Sequence, residues 1–232
     1  MKTTYKLKEV MVPENHVLDR MEKQTGKKEK DRTTKSNVFM SSEFHNPSTE
    51  QKLLNRSKTA LVLMMGTGNA RAGMWARTVC NNENFELGSA LPQIEWAQMN
   101  GYPVIVMNPN QNKVNGKVVP FNQNMTAHCS HIWENYVEPS GFQSLLVLAH
   151  SNGGLGLTAI QKKFAHTFYQ KVKQIAYTDS KPILAEALDK FQQEFMDARA
   201  IHYLASKEPL GAPVLAPANR PTCCPSVSAG NP

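Results

Sequence analysis

The chain has 232 residues, a length that suits one α/β domain. Hydrophobic residues make up 41% and charged residues 19%, enough apolar material for a real core, which argues against a wholly disordered chain. The formal net charge is +7, and much of it is local: Arg20 to Lys35 holds seven basic and three acidic residues.

Other classes fall away on pattern. No apolar run approaches the length of a membrane span, so no membrane partner is expected. The polar N-terminus lacks the apolar stretch of a secretory signal. Cys80, Cys129, Cys223 and Cys224 match no zinc-site spacing, and adjacent Cys223 and Cys224 cannot bridge without strain. These features together fit an intracellular, reducing compartment. No metal and no cofactor is expected.

Taken in order, residues 1–35 read as a basic, flexible N-terminal segment and residues 36–232 as the folded domain. Lys23, Lys27, Lys28, Lys30, Arg32 and Lys35 are candidates for contact with RNA, because they cluster charge of one sign. No aromatic residue is interleaved to stack a base, so the plainer reading is a solvated linker. Ser36–Met40 is a short strand candidate, followed by polar linker through Arg56. Ala60–Met65 reads as a buried strand ending in the glycine corner Gly66-Thr67-Gly68. Arg71–Cys80 and Leu91–Asn100 read as helices, Pro103–Met107 as a buried strand, and 111–123 as a polar stretch turning at Asn115-Gly116.

Thr126–Val137 returns to helical spacing. It carries His128 and His131 three apart, with no third ligand to complete a metal site. Leu145–Leu148 is an interior strand, and Leu155–Gln170 an amphipathic helix. Lys171–Thr178 is a strand stopping at Asp179-Ser180. Ile183–Leu204 reads as mostly helical, which puts His202 inside a helix. Pro225–Gly230 offers a last strand.

Strand and helix in alternation imply a mostly parallel sheet with helices on both faces. Ligands of such sheets sit beyond the carboxyl ends of the strands, where Gly66, Asn108, Ser151 and Asp179 all fall. Ala149-His150-Ser151-Asn152-Gly153 approximates the G-x-S-x-G nucleophile elbow. There a serine sits in a tight strand-to-helix turn, and small neighbours prevent clashes. On that reading Ser151 is the nucleophile. Gly66, Thr67, Gly68 and Asn152 form the oxyanion corner. The plainer reading is a tight β–α turn whose serine caps a helix.

Five stretches occur in order: Arg71-Ala72-Gly73-Met74-Trp75-Ala76-Arg77, Val104-Ile105-Val106-Met107-Asn108-Pro109-Asn110, Ala149-His150-Ser151-Asn152-Gly153-Gly154, Thr178-Asp179-Ser180 and Ser228-Ala229-Gly230. Together they resemble the Argonaute-binding-protein-two (Arb-two) domain family, and within it the animal cotranscriptional-regulator branch. The resemblance runs over about residues 36–230. It implies an α/β-hydrolase-like domain, here C-terminally truncated. It implies nuclear work, with the cytoplasm as a second compartment. The partners it implies are Argonaute-type proteins and chromatin or splicing factors, in small-interfering-RNA silencing, heterochromatin formation and alternative splicing. By motif position it makes Ser151 the nucleophile. The family has His before the glycine loop and Tyr after the serine, where this chain has Met65 and Asn152.

A triad also needs an acid and an imidazole base, in the chain order serine, acid, histidine. Asp179 fits the acid. The family's histidine lies shortly after Ser-Ala-Gly, and this chain stops at Pro232. His166 is 15 residues into the following helix, over about 20 Å away at 1.5 Å per residue. The reading that follows is a non-catalytic interaction module shaped like a hydrolase. The alternative is a serine hydrolase of the esterase type, acting through Ser151.

Overall fold

The computed structural model describes residues 28–30, 37–68, 70, 72–114, 117–182, 187–215 and 222–230; for 28–30, 37, 114 and 117 the description stops at the backbone. Two short strands open it, β1 (Lys28–Lys30) and β2 (Asn37–Met40). A 3-10 turn (Ser42–Phe44) leads to α1 (Thr49–Asn55), whose N-terminus is capped by Ser48. β3 (Thr59–Met64) is followed by α2 (Arg77–Asn82), α3 (Phe85–Gly88) and α4 (Leu91–Met99). Next come β4 (Val104–Met107), the hairpin β5 (Lys113–Val114) and β6 (Lys117–Val118), and α5 (Met125–Ile132). β7 (Ser144–His150) runs into α6 (Gly153–Lys163) and α7 (Ala165–Lys171). β8 (Val172–Thr178), α8 (Lys190–Arg199), β9 (Ala200–Leu204) and β10 (Ser226–Ser228) complete the order.

Eight strands form one sheet in the order β1-β2-β4-β3-β7-β8-β9-β10. β1 and β2 pair antiparallel, as do β2 and β4, and every other pairing is parallel. The expected α/β architecture is therefore present, with β7 interior between β3 and β8. Its run Leu145–Leu148 is apolar at consecutive positions, but the two faces differ: Leu145 and Val147 are buried, while Leu146 and Leu148 are half-buried and line an open groove with Trp96, Ala176, Ile201 and Tyr203.

Alternation along the strands divides the core in two. On one face Val62, Met64, Val147, Ala149, Ile175 and Tyr177 pack against residues of α5, α6, α7 and α8. On the other, Leu61, Leu63, Val104 and Val106 pack against Leu91, Ile94 and Ala97 of α4. Each such buried aliphatic side chain contributes about 1.5–3 kcal/mol.

Several local expectations change. Lys28–Lys30 is a strand, not a solvated loop, paired Lys28 with Phe39 and Lys30 with Asn37. Backbone bonds make that ladder, and lysines are suited to an edge strand. The linker before Arg56 contains α1. The helix expected from Arg71 begins only at Arg77, because Gly73 turns with φ +81° and Met74 bridges to Ser89. The Asn115-Gly116 turn lies outside the described residues.

The helix expected over Thr126–Val137 starts at Met125, capped by Asn124, and loosens into a π-helical turn at Trp133–Val137. The amphipathic run 155–170 is two helices broken at Phe164, whose backbone leaves the helical region (φ −119°, ψ 35°). The helix expected over Ile183–Leu204 spans only Lys190–Arg199, opened by a capping box between Asp189 and Gln192. Residues 200–204 form β9 instead. Ala200 and His202 are buried while Ile201 and Tyr203 face outward, the two-residue period of a strand. His202 therefore moves from a helix to the sheet.

Candidate functional site

Parallel pairing brings the carboxyl ends of β3, β4, β7 and β8 to one edge. The register aligns Met64 with both Met107 and Ala149, and His150 with Thr178. The next residues, Gly66, Asn108, Ser151 and Asp179, thus meet at the place where ligands of such sheets bind.

Ser151 turns the chain from β7 into α6 with φ +51°. A side-chain-bearing residue in that left-handed region costs about 1–2 kcal/mol, so surrounding bonds must hold it. They do. The Ser151 N–H donates to the Thr178 carbonyl at 3.1 Å. Its carbonyl accepts from Ser180 Oγ at 2.7 Å and from the Lys181 N–H at 3.1 Å. Gly66 stands directly against the serine. A Cβ there would lie 2.8 Å from Ser151 Cβ and 3.2 Å from Oγ, so only glycine lets the two loops touch.

The glycine corner is held by the last residue of the stretch Val104–Asn110. Asn110 donates from Nδ2 to the carbonyls of Gly66 and Ala70, both at 2.9 Å, and its Oδ1 accepts from the Gly68 N–H at 3.0 Å. The signal was present, since asparagine after a strand commonly bonds loop backbone. Its partners were not. Asn152 Nδ2 donates to Thr67 Oγ1, which ties the serine corner to the glycine corner. Asn152 Oδ1 is buried without a partner among the described residues. Turning the amide over would only exchange which of its two atoms is unpaired.

The two histidines at this edge serve the backbone. His150 Nδ1 lies 2.9 Å from the Thr178 carbonyl, which can only accept, so Nδ1 carries the proton. Its ring meets Trp75 edge-on, with centroids 5.6 Å apart. Burial lowers its pKa from the ordinary 6.5, against the opposing effects of the Thr178 bond and the Asp179 charge. His202 Nε2 accepts from the Ser180 N–H at 3.0 Å, so this ring is neutral with its proton on Nδ1. Burial lowers its pKa too, with Asp179 acting the other way.

Among the described residues, no hydrogen bond joins Ser151 Oγ to a histidine, and none joins the Asp179 carboxylate to either ring. Asp179 stands at the edge with φ +42°, its N–H bonded to the Tyr203 carbonyl at 2.9 Å.

The structure therefore brings together Ser151, Asn152, Gly66, Thr67 and Gly68, with Asp179 in the adjoining turn. It does not bring Lys28 and Lys30 there. They lie on β1, four strand positions from β7, roughly 19 Å at strand spacing. Lys23, Lys27, Arg32 and Lys35 lie outside the described residues. His128, the other histidine near the edge, accepts the Asn108 N–H on Nε2 at 2.9 Å. No helix among the described residues is long and apolar enough to cross a membrane.

Comparison with known proteins identifies the family. The Arb2 domain model matches residues 28–118 and 112–210. A FAM172 family protein homolog from Caenorhabditis elegans is 36% identical over 129 residues, 56% of this chain and 41% of that protein. The cotranscriptional regulator ARB2A homolog of Xenopus tropicalis is 28% identical, across 73% of this chain and 52% of its own length. Human cotranscriptional regulator ARB2A is 26% identical, across 84% and 57%. The chain spans about half the length of these relatives. A histone deacetylase from Saccharomyces cerevisiae overlaps 74% of this chain and 70% of its own at 12% identity and a TM-score of 0.44, too distant to bear on the site. With the family model covering most of the sheet and both corners of the crevice, the chain belongs to the Arb2 domain family.

Proposed function

We propose that this chain is a nuclear interaction module of the cotranscriptional-regulator type, which uses a hydrolase-shaped crevice as a scaffold rather than for turnover. Its partners on this reading are an Argonaute-type protein and chromatin or splicing factors, and its processes are siRNA-guided silencing, heterochromatin formation and alternative splicing. The relatives named cotranscriptional regulators support the regulatory role in general. One observation carries the non-catalytic part: among the described residues neither ring is hydrogen-bonded to Ser151 Oγ, the His202 lone pair being taken by the Ser180 N–H and the His150 ring being held through Nδ1 to the Thr178 carbonyl. A serine without its base loses several orders of magnitude in rate.

A serine-directed fluorophosphonate probe tests it. The folded chain should remain unlabelled, and Ser151→Ala should retain full effect on a silencing or splicing reporter. Labelling that vanishes in Ser151→Ala would overturn the scaffold reading.

The second reading, an esterase-type serine hydrolase, is favoured by the left-handed turn at Ser151 and its contact with Gly66. It predicts that labelling. RNA contact through the basic N-terminal segment is a separate arm. It requires affinity that falls steeply between low and moderate salt.

A further inference from the structure

The turn after β8 is clamped onto the serine corner. Ser180 Oγ and the Lys181 N–H both donate to the Ser151 carbonyl. Gly154, in the first turn of α6, lies so close that a Cβ on it would sit 2.5 Å from Ser180 Oγ. That clamp is held from behind by one side chain, through the Ser180 N–H and His202 Nε2. His202 is fixed in place: it is 2% exposed, it stands in register with Tyr177 on β8, and the two rings meet edge-on at 6.0 Å.

We propose that His202 is a positioning residue for the serine corner, pinning the Ser180 turn while its ring is neutral and releasing it when the ring takes a proton. A backbone N–H can only donate, so the bonded nitrogen must supply a lone pair. A proton on Nε2 would set two donors face to face at 3.0 Å. The Ser180 N–H would lose its acceptor, and the turn that holds the Ser151 carbonyl would lose its rear support. Left-handed backbone at Ser151 and at Asp179 persists only while such bonds enforce it.

The groups around the ring are few among the described residues. Asp179, in the clamped turn itself, is the charge that acts on it and favours the protonated form. β8 contributes Tyr177, and β10 contributes Ser226 and Ser228, which carry no charge. The segment before β10 brings Cys223 and Cys224, both buried thiols, and Asp197 of α8 acts on Cys224. Burial outweighs Asp179, so the release falls on the acid side of the ordinary histidine value of 6.5. The device does not depend on whether Ser151 reacts with anything, and so extends beyond the functional reading above.

Hydrogen exchange on the whole chain, corrected for intrinsic rates, tests it at pH 7.5 and pH 5. The peptides to follow cover Ser151–Gly156 and Thr178–Lys181, with Leu91–Met99 of α4 as an internal standard. The wild type should lose about tenfold in protection at both peptides on acidification, the order expected for one buried hydrogen bond. His202→Gln supplies an acceptor oxygen that does not titrate, so its protection should stay flat. His202→Phe keeps a ring without an acceptor and should be poorly protected at both pH values. Unchanged wild-type protection would overturn the proposal. So would a loss in His202→Gln as steep as in the wild type. If His202→Phe fails to fold, the wild-type and His202→Gln profiles decide alone.

Discussion

Asn110→Ala is the sharpest test of how the crevice is held. The side chain makes three hydrogen bonds, two to the carbonyls of Gly66 and Ala70 and one from the Gly68 N–H. A typical bond contributes about 1 kcal/mol net, so three set a ceiling of about 3 kcal/mol. The site is only half-buried, and water can replace part of what is lost. The working figure is therefore about 2 kcal/mol. With a urea slope of about 2–3 kcal/mol/M, that is a midpoint shift of just under 1 M with the slope unchanged. A domain of ordinary stability survives this, so the variant should be folded and measurable. Asn110→Asp provides the internal check. It keeps the oxygen that accepts from Gly68 but sets a carboxylate oxygen against the Gly66 and Ala70 carbonyls, acceptor facing acceptors, so it should be at least as destabilised as alanine. An alanine variant within about 0.3 kcal/mol of wild type would mean that Asn110 does not hold the glycine corner.

Three further outcomes are expected. Gly154→Ala places a Cβ 2.5 Å from Ser180 Oγ and 2.6 Å from the Lys181 carbonyl, so it should cost about 1–3 kcal/mol by denaturant melt. Asp189→Ala removes the cap bond to the Gln192 N–H at 2.8 Å and should cost about 1 kcal/mol by the same measure. Acid should destabilise the fold through His150 and His202. Both pKa values are lowered in the folded state by burial, so the unfolded chain binds more protons below 6.5. Their contribution is full above 6.5 and is lost as pH falls through the folded values. Thermal melts from pH 7.5 to 5 should show that loss beginning just below 6.5, and His202→Gln should reduce it to the share of His150.

What could be read in the sequence follows from how local each signal is. The interior strands were legible because Ala60–Met64, Val104–Met107 and Leu145–Leu148 are apolar at consecutive positions; for Ala60–Met64 and Val104–Met107 that is the pattern a doubly covered parallel strand demands. The serine corner was legible because its small residues sit together in the chain. β9 was not. Helical spacing in α8 runs directly into it, and the turn to strand is enforced by pairing with β8, a partner over 20 residues away. β1 was missed for the same reason, since three charged residues become a strand only through the ladder with β2. Asn110 was visible as a residue type, but its role lies in bonds to a loop some 40 positions earlier.

The misplacement of β9 bears directly on how the serine is read. As a helical residue His202 would have been irrelevant to Ser151; as a strand residue it stands behind the crevice, the side from which a base would be supplied. Yet its only unprotonated nitrogen already accepts the Ser180 N–H. To take a proton from Ser151 it would have to give up that bond, and the bond holds the turn that holds the serine. A general base must gain its proton without dismantling its own site. His202 is thus placed to keep Ser151 still, and the same bond that makes it a good support makes it a poor base.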